Sequence, residues 1–249
     1  MNLPRPNPFL LLVLGAILLG AAPPKKGKVP WALKHARERP PAMDDASRMN
    51  RTRVAETWPV PADPAKAEDQ LRALLKRARR DQIPLSIAGA RHSMGGHTLA
   101  PGGIVLDMRT LRQLELLEGG RILRVGGGAL WSQVLAFLEP HGLSVGVMQS
   151  NNSFSVGGSL SVNCHGWQYN RPPIASTVES FRLLKADGAV VRCSRKQNTE
   201  LFRLALGGYG LFGIILDADL RTVPNRAYRL ERKVLPFGQA IPFYNEHLR

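Results

Sequence analysis

The sequence has few of the residues on which disulfide-rich and metal-binding proteins depend. Its 249 residues include two cysteines, Cys164 and Cys193, without CxxC spacing and without a group of metal ligands around them. We interpret them as two unrelated thiols. Aromatic residues make up 6% of the chain, and no compact run of lysine and arginine is interleaved with them. This pattern argues against a nucleic-acid-binding surface.

The formal net charge of +15 nevertheless makes the chain strongly basic. We interpret the excess as a solvated basic surface that also favours anionic lipid headgroups or an anionic cofactor. Hydrophobic residues make up 44% of the chain and charged residues 21%, which predicts a globular protein rather than a disordered one. A chain of this length can form one large domain or two small ones.

Residues 1–24 have the pattern of a targeting segment. Arg5 precedes an unbroken apolar run over residues 9–19, and small residues follow the run, as in a secretory signal peptide. The run is too short for an untilted transmembrane helix. Lysines within residues 25–28 add positive charge after the run, which instead favours a membrane anchor. The pattern therefore leaves two alternatives, an exported protein (periplasmic or extracellular) and a membrane-anchored one.

The next strong element along the chain is a helix. Residues 25–57 are rich in proline and charge and show no sustained period, so we predict a linker or an arm wrapped on the domain surface. Asp63 is a typical N-cap residue, and Pro64 suits the first helical position. Apolar residues then recur at helical spacing, and the basic residues between them are predicted to face solvent.

The most informative stretch is residues 83–107, which predict a strand, a polar loop and a second strand. The apolar runs at 84–88 and 104–106 flank a loop that combines several glycines with arginine, serine and two histidines. Glycines let backbone amides approach a ligand closely, so such a loop can enclose an anion such as a pyrophosphate. The alternative is a plain surface hairpin, although an ordinary turn needs fewer residues.

The remainder of the chain predicts an α+β order of elements. Strands are expected at 111–117, 121–125, 144–148 and 213–223, helices at 130–138 and 199–206, and a hairpin at 179–193 around an Asp-Gly turn. The three glycines at 126–128 approximate a dinucleotide-binding fingerprint, but no acidic residue follows at the expected distance, which argues against an NAD-dependent dehydrogenase. A second polar loop at 149–168 suggests that one extended ligand is held from two sides.

Six motifs in order carry a resemblance to a known family: IAGARHSMGGHT, IVLDM, VGGGALWSQVLAFLEPHGL, SVGGSLSVNCHG, LLKADG and ELFRLALGGYGLFGIILDADL. The chain resembles the FAD-binding domain of the vanillyl-alcohol oxidase or p-cresol methylhydroxylase (PCMH-type) flavoproteins. Within that family it is similar to aldonolactone and sugar-alcohol oxidases and to decaprenylphosphoryl ribose oxidases. The resemblance covers residues 58–225 and implies an α+β fold in which two small α+β subdomains clasp FAD. Residues 226–249 would then begin a truncated substrate domain that is largely absent.

The resemblance also implies which residues contact the cofactor. Matching positions in the first loop, whose backbone would bind the pyrophosphate, are Ala88, Gly89, Ala90, Arg91, His92, Ser93, Met94, Gly95, Gly96 and His97. Matching positions in the second loop and the last strand are Ser150, Ser155, Gly157, Gly158, Asn163, His165, Gly166 and Ile214, the last through backbone hydrogen bonds to adenine. His92 matches the histidine to which many members attach the flavin covalently. A non-covalent contact is the alternative, because other members bind FAD without this bond.

The implied activity is oxidation of a CH–OH group in a sugar alcohol, aldonolactone or hydroxy acid, with hydride transfer to the flavin. The expected partners are a small-molecule substrate and an electron acceptor, either oxygen or another compound, together with membrane association through the N-terminus. The resemblance assigns no catalytic base to this chain. The alternative is a non-catalytic or partial FAD-binding module that lacks its substrate domain.

Overall fold

The structure is a computed structural model that describes residues 42–168, 170–229 and 231–247. Its strands are β1 (Ala42–Met43), β2 (Thr52–Arg53), β3 (Glu56–Pro59), β4 (Leu85–Ala88), β5 (Ile104–Asp107), β6 (Leu114–Leu117), β7 (Ile122–Gly126), β8 (Leu143–Val145), β9 (Val178–Leu184), β10 (Val190–Ser194) and β11 (Ile214–Pro224). Its helices are α1 (Pro64–Asp81), α2 (Trp131–Leu138), α3 (Val156–Ser161), α4 (Thr199–Ala205) and α5 (Phe237–His247). The arrangement is the mixed α+β fold that the resemblance implies.

The first unit is a three-stranded parallel sheet covered by helix α1. Its strand order is β3-β5-β4. Helix α1 begins where the sequence predicts, because the Asp63 side chain accepts a hydrogen bond from the Lys66 amide at 2.8 Å and Pro64 follows the cap. The helix buries an apolar stripe against the sheet, with Leu71 fully buried. The helix prediction is therefore confirmed.

The parallel pairing excludes the hairpin alternative for the glycine-rich loop. Strands β4 and β5 run in the same direction, with Leu85 opposite Ile104 and Ala88 opposite Asp107. A two-residue turn cannot join parallel neighbours, because the chain must return to the starting edge of the sheet. The loop at 89–103 makes this return without a helix, and it therefore leaves β4 and passes across the edge of the unit as an irregular segment.

The second unit is a six-stranded antiparallel sheet. Its order is β10-β9-β11-β7-β6, and β8 pairs with the far end of β11. One face packs on α2, α3 and α4 and is apolar, whereas the other face carries charged pairs. On that second face, Asp219 accepts hydrogen bonds from Arg124 Nε at 2.9 Å and from Arg192 Nη2 at 3.0 Å. The predicted hairpin over 179–193 forms β9 and β10.

Strand β11 joins the two units into one structure. A β-bulge shifts its register with β9 between Ile215 and Asp217. A bulge adds one residue to a strand and so changes which face the following side chains occupy. Ile214 and Leu216 consequently pack with helix α1, whereas Ala218 packs in the core of the larger sheet.

The structure differs from the sequence predictions in two places. Residues 42–57 of the predicted linker belong to the fold, since β1 pairs with β2 and β3 is an edge strand of the parallel sheet. The second polar loop is not wholly irregular, because it contains α3. The targeting segment at 1–24 lies outside the described residues. Among the described residues, no helix is long and apolar enough to cross a membrane.

Residues 226–249 are described over 226–229 and 231–247. Helix α5 lies in this part, and it has no buried residue. Phe237 is 95% exposed and Ile241 68%, whereas Phe243 is half-buried. The interpretation of this segment as the start of a truncated substrate domain stays a prediction.

Candidate functional site

A cleft of about 380 Å³ opens where the loop after β4, the first turn of α3 and the beginning of β11 meet. This volume lies within the range of about 300–1,000 Å³ typical of small-molecule sites. The cleft brings together most of the residues that the sequence predicts to bind cofactor: Gly89, Ala90, Arg91, His92, Ser93, Met94, His97, Ser155, Gly157 and Gly158. Both predicted loops therefore contribute to a single site.

The backbone of the first loop presents a row of free amides on this cleft. The N–H groups of residues 91–94 donate no hydrogen bond to any residue that the structure describes. Arg91 has φ of 55°, a left-handed conformation, and such a residue beside ordinary ones makes consecutive amides converge into an anion-binding concavity. Arg91 is itself one of the residues that line the cleft. This arrangement suits a diphosphate group.

The next two backbone amides of the same loop donate hydrogen bonds within the protein. Gly95 N donates to Ser47 Oγ at 3.0 Å, and Gly96 N donates to Asp45 Oδ2 at 2.6 Å. Neither glycine lines the cleft. Ser93 lines it, but its hydroxyl donates to Asp45 Oδ2 at 2.7 Å. Half of the predicted anion-binding loop is therefore bound to the upstream segment.

Asp45 is buried at the centre of these contacts, with 5% of its surface exposed. Burial by itself raises the pKa of this carboxyl. Hydrogen bonds from Ser47, Ser93 and the Gly96 amide outweigh burial and lower the pKa from 3.8 to about 2. Asp45 is therefore an anion at neutral pH.

The two histidines of the loop have different surroundings. His92 stacks on Phe154 with ring centroids 4.4 Å apart, and its Nε2 lies 2.8 Å from Ser153 Oγ. Its Nδ1 has no hydrogen bond to a described residue. His97 contacts the ring of Tyr209 edge-on, with centroids 6.1 Å apart. The first histidine is thus held in orientation by two contacts, and the second by a looser one.

The second loop packs closely on the backbone of the glycines that follow β7, and side-chain contacts join it to the first loop. Gly157 N donates to Gly127 O at 2.8 Å, and a Cβ added at Gly157 would lie 2.7 Å from that oxygen. The glycines at 126–128 lie against other backbone, because a Cβ at Gly127 would lie 2.5 Å from Ile215 O and one at Gly128 would lie 1.7 Å from Met108 O. Ser155 Oγ lies 3.4 Å from Ala90 N, which links the two loops directly.

A buried hydrogen-bond network supports the second loop from below. Trp131 Nε1 donates to Ser159 Oγ at 2.8 Å, and both residues are fully buried. Ser159 Oγ also contacts Gln149, a residue that lines the cleft. The hydrogen bond between Trp131 of α2 and Ser159 of α3 therefore fixes the position of α3.

The remaining predicted cofactor residues lie outside the cleft lining. Asn163 Oδ1 accepts a hydrogen bond from Ala175 N at 3.1 Å, and the exposed His165 contacts the Gly166 carbonyl at 3.0 Å. These positions, with Ala88, Gly95, Gly96 and Ser150, are not part of the lining. Ile214 is buried against α1, and its neighbours Gly213 and Ile215 line the cleft instead. Roles for these residues in cofactor binding stay predictions.

Two aromatic residues of the site lie outside the sequence prediction, whereas Thr98 is the last residue of the predicted pyrophosphate-binding loop. The cleft lining includes Thr98, whose Oγ1 is buried without a partner among the described residues, and the aromatic rings of Phe154 and Tyr209. Tyr209 lies in a Gly-Gly-Tyr-Gly stretch and has φ of 52°. This glycine-rich motif could have indicated from the sequence that Tyr209 belongs to the site. Asp45 gave no such signal, because its contacts are with residues far along the chain.

The two cysteines take no part in the site. Both are free and buried, which agrees with their interpretation as unrelated thiols. Burial raises the pKa of the Cys164 thiol to about 11, against weaker hydrogen bonds that favour the thiolate. The described residues also contain no group of side chains that could hold a metal ion.

Residues 64–194 match the family model described as FAD binding domain. The chain belongs to this PCMH-type FAD-binding family. Its cofactor is FAD, and the family is one of FAD-dependent oxidoreductases. The family match includes the glycine loop, α3 and the strands β9 and β10, and it excludes the segment that contains Asp45.

Named relatives are oxidoreductases. The chain is 34% identical to cytokinin dehydrogenase 7 of Oryza sativa subsp. japonica over 66% of its own length and 32% of the relative. It is 33% identical to cytokinin dehydrogenase 1 of Arabidopsis thaliana over 57% of its length and 25% of the relative. It is 29% identical to an FAD-dependent monooxygenase of Arthrobotrys oligospora over 66% of its own length and 33% of the relative. The chain thus spans about a third of the length of these relatives.

Proposed function

We propose that the cleft holds FAD and that the chain is the cofactor-binding part of an oxidoreductase acting on the CH–OH group of a sugar alcohol, aldonolactone or hydroxy acid. The location of the cofactor rests on the backbone amides of residues 91–94, which line the cleft and donate to no described residue. Free, convergent amides recognise a phosphate oxygen without a water shell. The diphosphate would be bound here.

The opposite wall of the cleft suits the flat parts of the cofactor. Gly157, Gly158 and Ser161 present small side chains or none, and Ile215 adds an apolar surface from β11. The buried hydroxyl of Thr98 has no partner among the described residues and faces the same cavity. Buried polar atoms are normally satisfied, so this oxygen supports a polar ligand group next to it.

His92 is the residue that we propose for covalent attachment of the flavin. Phe154 and Ser153 fix the imidazole, and Ser153 engages Nε2. Nδ1 is therefore the nitrogen left for a bond. A ring that is already fixed loses little further entropy on attachment. The hydrogen bond at Nε2 also sets the direction in which Nδ1 points. The alternative, a non-covalent contact through the same ring, has a distinct experimental signature.

Bound FAD supplies the hydride-accepting chemistry of this family. The described residues bind and orient that group, and none of them is assigned as a catalytic base. The substrate class rests on the resemblance to sugar-alcohol and aldonolactone oxidases. A competing class comes from the relatives whose names are cytokinin dehydrogenases. A panel of electron donors that contains both sugar alcohols or aldonolactones and cytokinins therefore distinguishes the two substrate classes. The measurement is bleaching of the flavin absorption under anaerobic conditions.

The apolar segment at residues 9–19 supports export or membrane anchoring of the protein, as the sequence analysis expects. Cell fractionation with an antibody against the folded domain distinguishes the two. A processed protein in the periplasm or medium would support export, and an unprocessed protein in the membrane fraction would support an anchor.

The visible absorption spectrum of the purified protein, repeated after acid precipitation, tests the proposed site. We expect flavin bands that stay with the pellet in the wild type and move to the supernatant in His92→Ala. His97→Ala is the matched control, because it removes the other histidine of the cleft, and it should keep the flavin in the pellet. Flavin in every supernatant would remove the covalent role of His92. A protein without flavin after incubation with FAD would overturn the location of the site.

Turnover separates the enzyme from its alternative. Bleaching of the flavin by a donor of either class supports a functioning oxidoreductase. Bound flavin that no donor of the panel reduces supports a non-catalytic FAD-binding module.

A further inference from the structure

Residues 45–50 lie upstream of the stretch that matches the family, and they contact the glycine loop along its length. We propose that this segment, here named the Asp45 clamp, positions the loop for FAD binding, with Asp45 as the positioning residue. The proposal rests on the cleft being the FAD site.

The Asp45 carboxylate is the centre of the clamp, and each of its oxygens receives two donors. Oδ1 accepts from the Ser47 amide at 3.0 Å and from Ser47 Oγ at 2.5 Å. Oδ2 accepts from Ser93 Oγ at 2.7 Å and from the Gly96 amide at 2.6 Å. A carboxylate is an acceptor at both oxygens. An ionised aspartate therefore matches all four donors at once, and an amide does not.

Further contacts extend the clamp to both ends of the free amides. Ala46 N donates to Arg91 O at 2.9 Å, before those amides. Asn50 Nδ2 donates to Gly95 O at 3.2 Å, and Gly95 N donates to Ser47 Oγ, after them. The backbone of residues 92–94 therefore lies between two positions, Arg91 and Gly95, that the clamp holds by hydrogen bonds. The clamp leaves its N–H groups unpaired while it fixes the backbone that carries them.

This division explains how an irregular loop can have one conformation. The loop belongs to no helix or strand, and its internal backbone hydrogen bonds, Leu99 N to Gly96 O and Gly103 N to Ala100 O, lie after residues 91–94. An unanchored loop would lose conformational entropy on binding the cofactor, and that loss weakens affinity. The clamp orders the loop before binding. We therefore assign to it a contribution to FAD affinity that is separate from the stability of the fold.

Asp45→Asn is the decisive variant because it keeps the shape and removes half of the acceptor capacity. The amide group would present its own N–H atoms to two donors, either those of Ser47 or those of Ser93 and Gly96. We expect the Kd for FAD, measured by quenching of flavin fluorescence on the full chain carrying His92→Ala so that the flavin is not attached covalently, to rise at least about tenfold. Asp44→Asn is the matched control, since among the described residues the Asp44 side chain accepts a hydrogen bond from the Asp45 amide alone, and its Kd should stay within about twofold.

Two further measurements separate positioning from a purely structural role. Hydrogen exchange of FAD-free protein should become faster in peptides covering residues 89–99 of Asp45→Asn and remain unchanged in peptides covering β9 and β10. The Kd is measured well below the melting temperature of each variant, so that partial unfolding does not enter. If Asp45→Asn fails to fold, Ser47→Ala takes its place, because it removes the Gly95 acceptor and one donor to Asp45.

A variant with a lower melting temperature but wild-type Kd and wild-type loop exchange would overturn the proposal. A higher Kd together with faster loop exchange supports it. A wild-type protein that does not bind FAD contradicts the proposed function instead. In that case the exchange of the loop peptides still decides whether the clamp orders the loop.

Discussion

The two loops that form the cleft are built in opposite ways. The first, at 89–103, contains no helix or strand, and it is ordered by hydrogen bonds from a segment nearly fifty residues upstream. The second, at 149–168, contains α3 and is ordered by its own backbone and by the neighbouring α2. The comparison shows that the loop with open amides depends on external support, whereas the loop with small side chains forms a packed wall.

The largest effect should come from filling the contact between Gly157 and Gly127. In Gly157→Ala the new Cβ would lie 2.7 Å from a backbone oxygen that cannot move independently. We expect a loss of about 2–4 kcal/mol in the free energy of unfolding, as measured by urea denaturation. Gly158→Ala is the control, because its Cβ would meet the Ser155 hydroxyl at 3.0 Å, and its loss should be clearly smaller. Equal losses would show that α3 is not a packed wall.

The buried network under the second loop should show an intermediate effect. Ser159→Ala leaves the indole N–H of Trp131 buried without its acceptor. An unpaired buried donor costs about 1–3 kcal/mol, and we expect a loss of that size in urea denaturation with little change in the Kd for FAD. Ser161→Ala removes a half-buried hydroxyl that bonds only Gly157 O, and it should cost less. A larger change in FAD affinity than in stability would contradict the supporting role given to Ser159.

The smallest effect is a pH dependence that belongs to the first loop. The pKa of Asp45 is lowered from 3.8 to about 2 in the folded protein. Stability from this group is therefore present above its ordinary pKa and is lost as pH falls through the folded value. The stability difference between wild type and Asp45→Asn should shrink between pH 4 and pH 2, and urea titrations at several pH values measure it. A difference that persists unchanged to pH 2 would show that the charge on Asp45 contributes nothing.

Much of the fold follows from local patterns. Helix α1 follows from its Asp-Pro start and its apolar spacing, and the hairpin of β9 and β10 follows from its turn, where Asp187 Oδ1 accepts the Ala189 amide at 2.9 Å. These signals are readable because the residues that make each contact are close in sequence.

Elements that depend on distant residues could not be predicted in the same way. Helix α3 begins with Gly157 and Gly158 near its start, and glycine costs about 1 kcal/mol relative to alanine in a helix. It forms because Val156 N donates to Ala129 O and Gly157 N to Gly127 O, both at 2.8 Å. Asp45 likewise acquires its role through partners that no spacing rule connects to it. The site was therefore predictable as two loops, but its supports were not.

The bulged strand β11 has a consequence for how the cleft can move. Ile214 and Leu216 pack in the core under α1, Ile215 and Ala218 pack in the core of the larger sheet, and Ile215 also lines the cleft. Hinge motions need a few backbone positions that can rotate without disturbing packed side chains. A continuous strand shared by both cores offers no such position. We therefore expect cofactor entry to rely on local motion of the loops rather than on a hinge within β11.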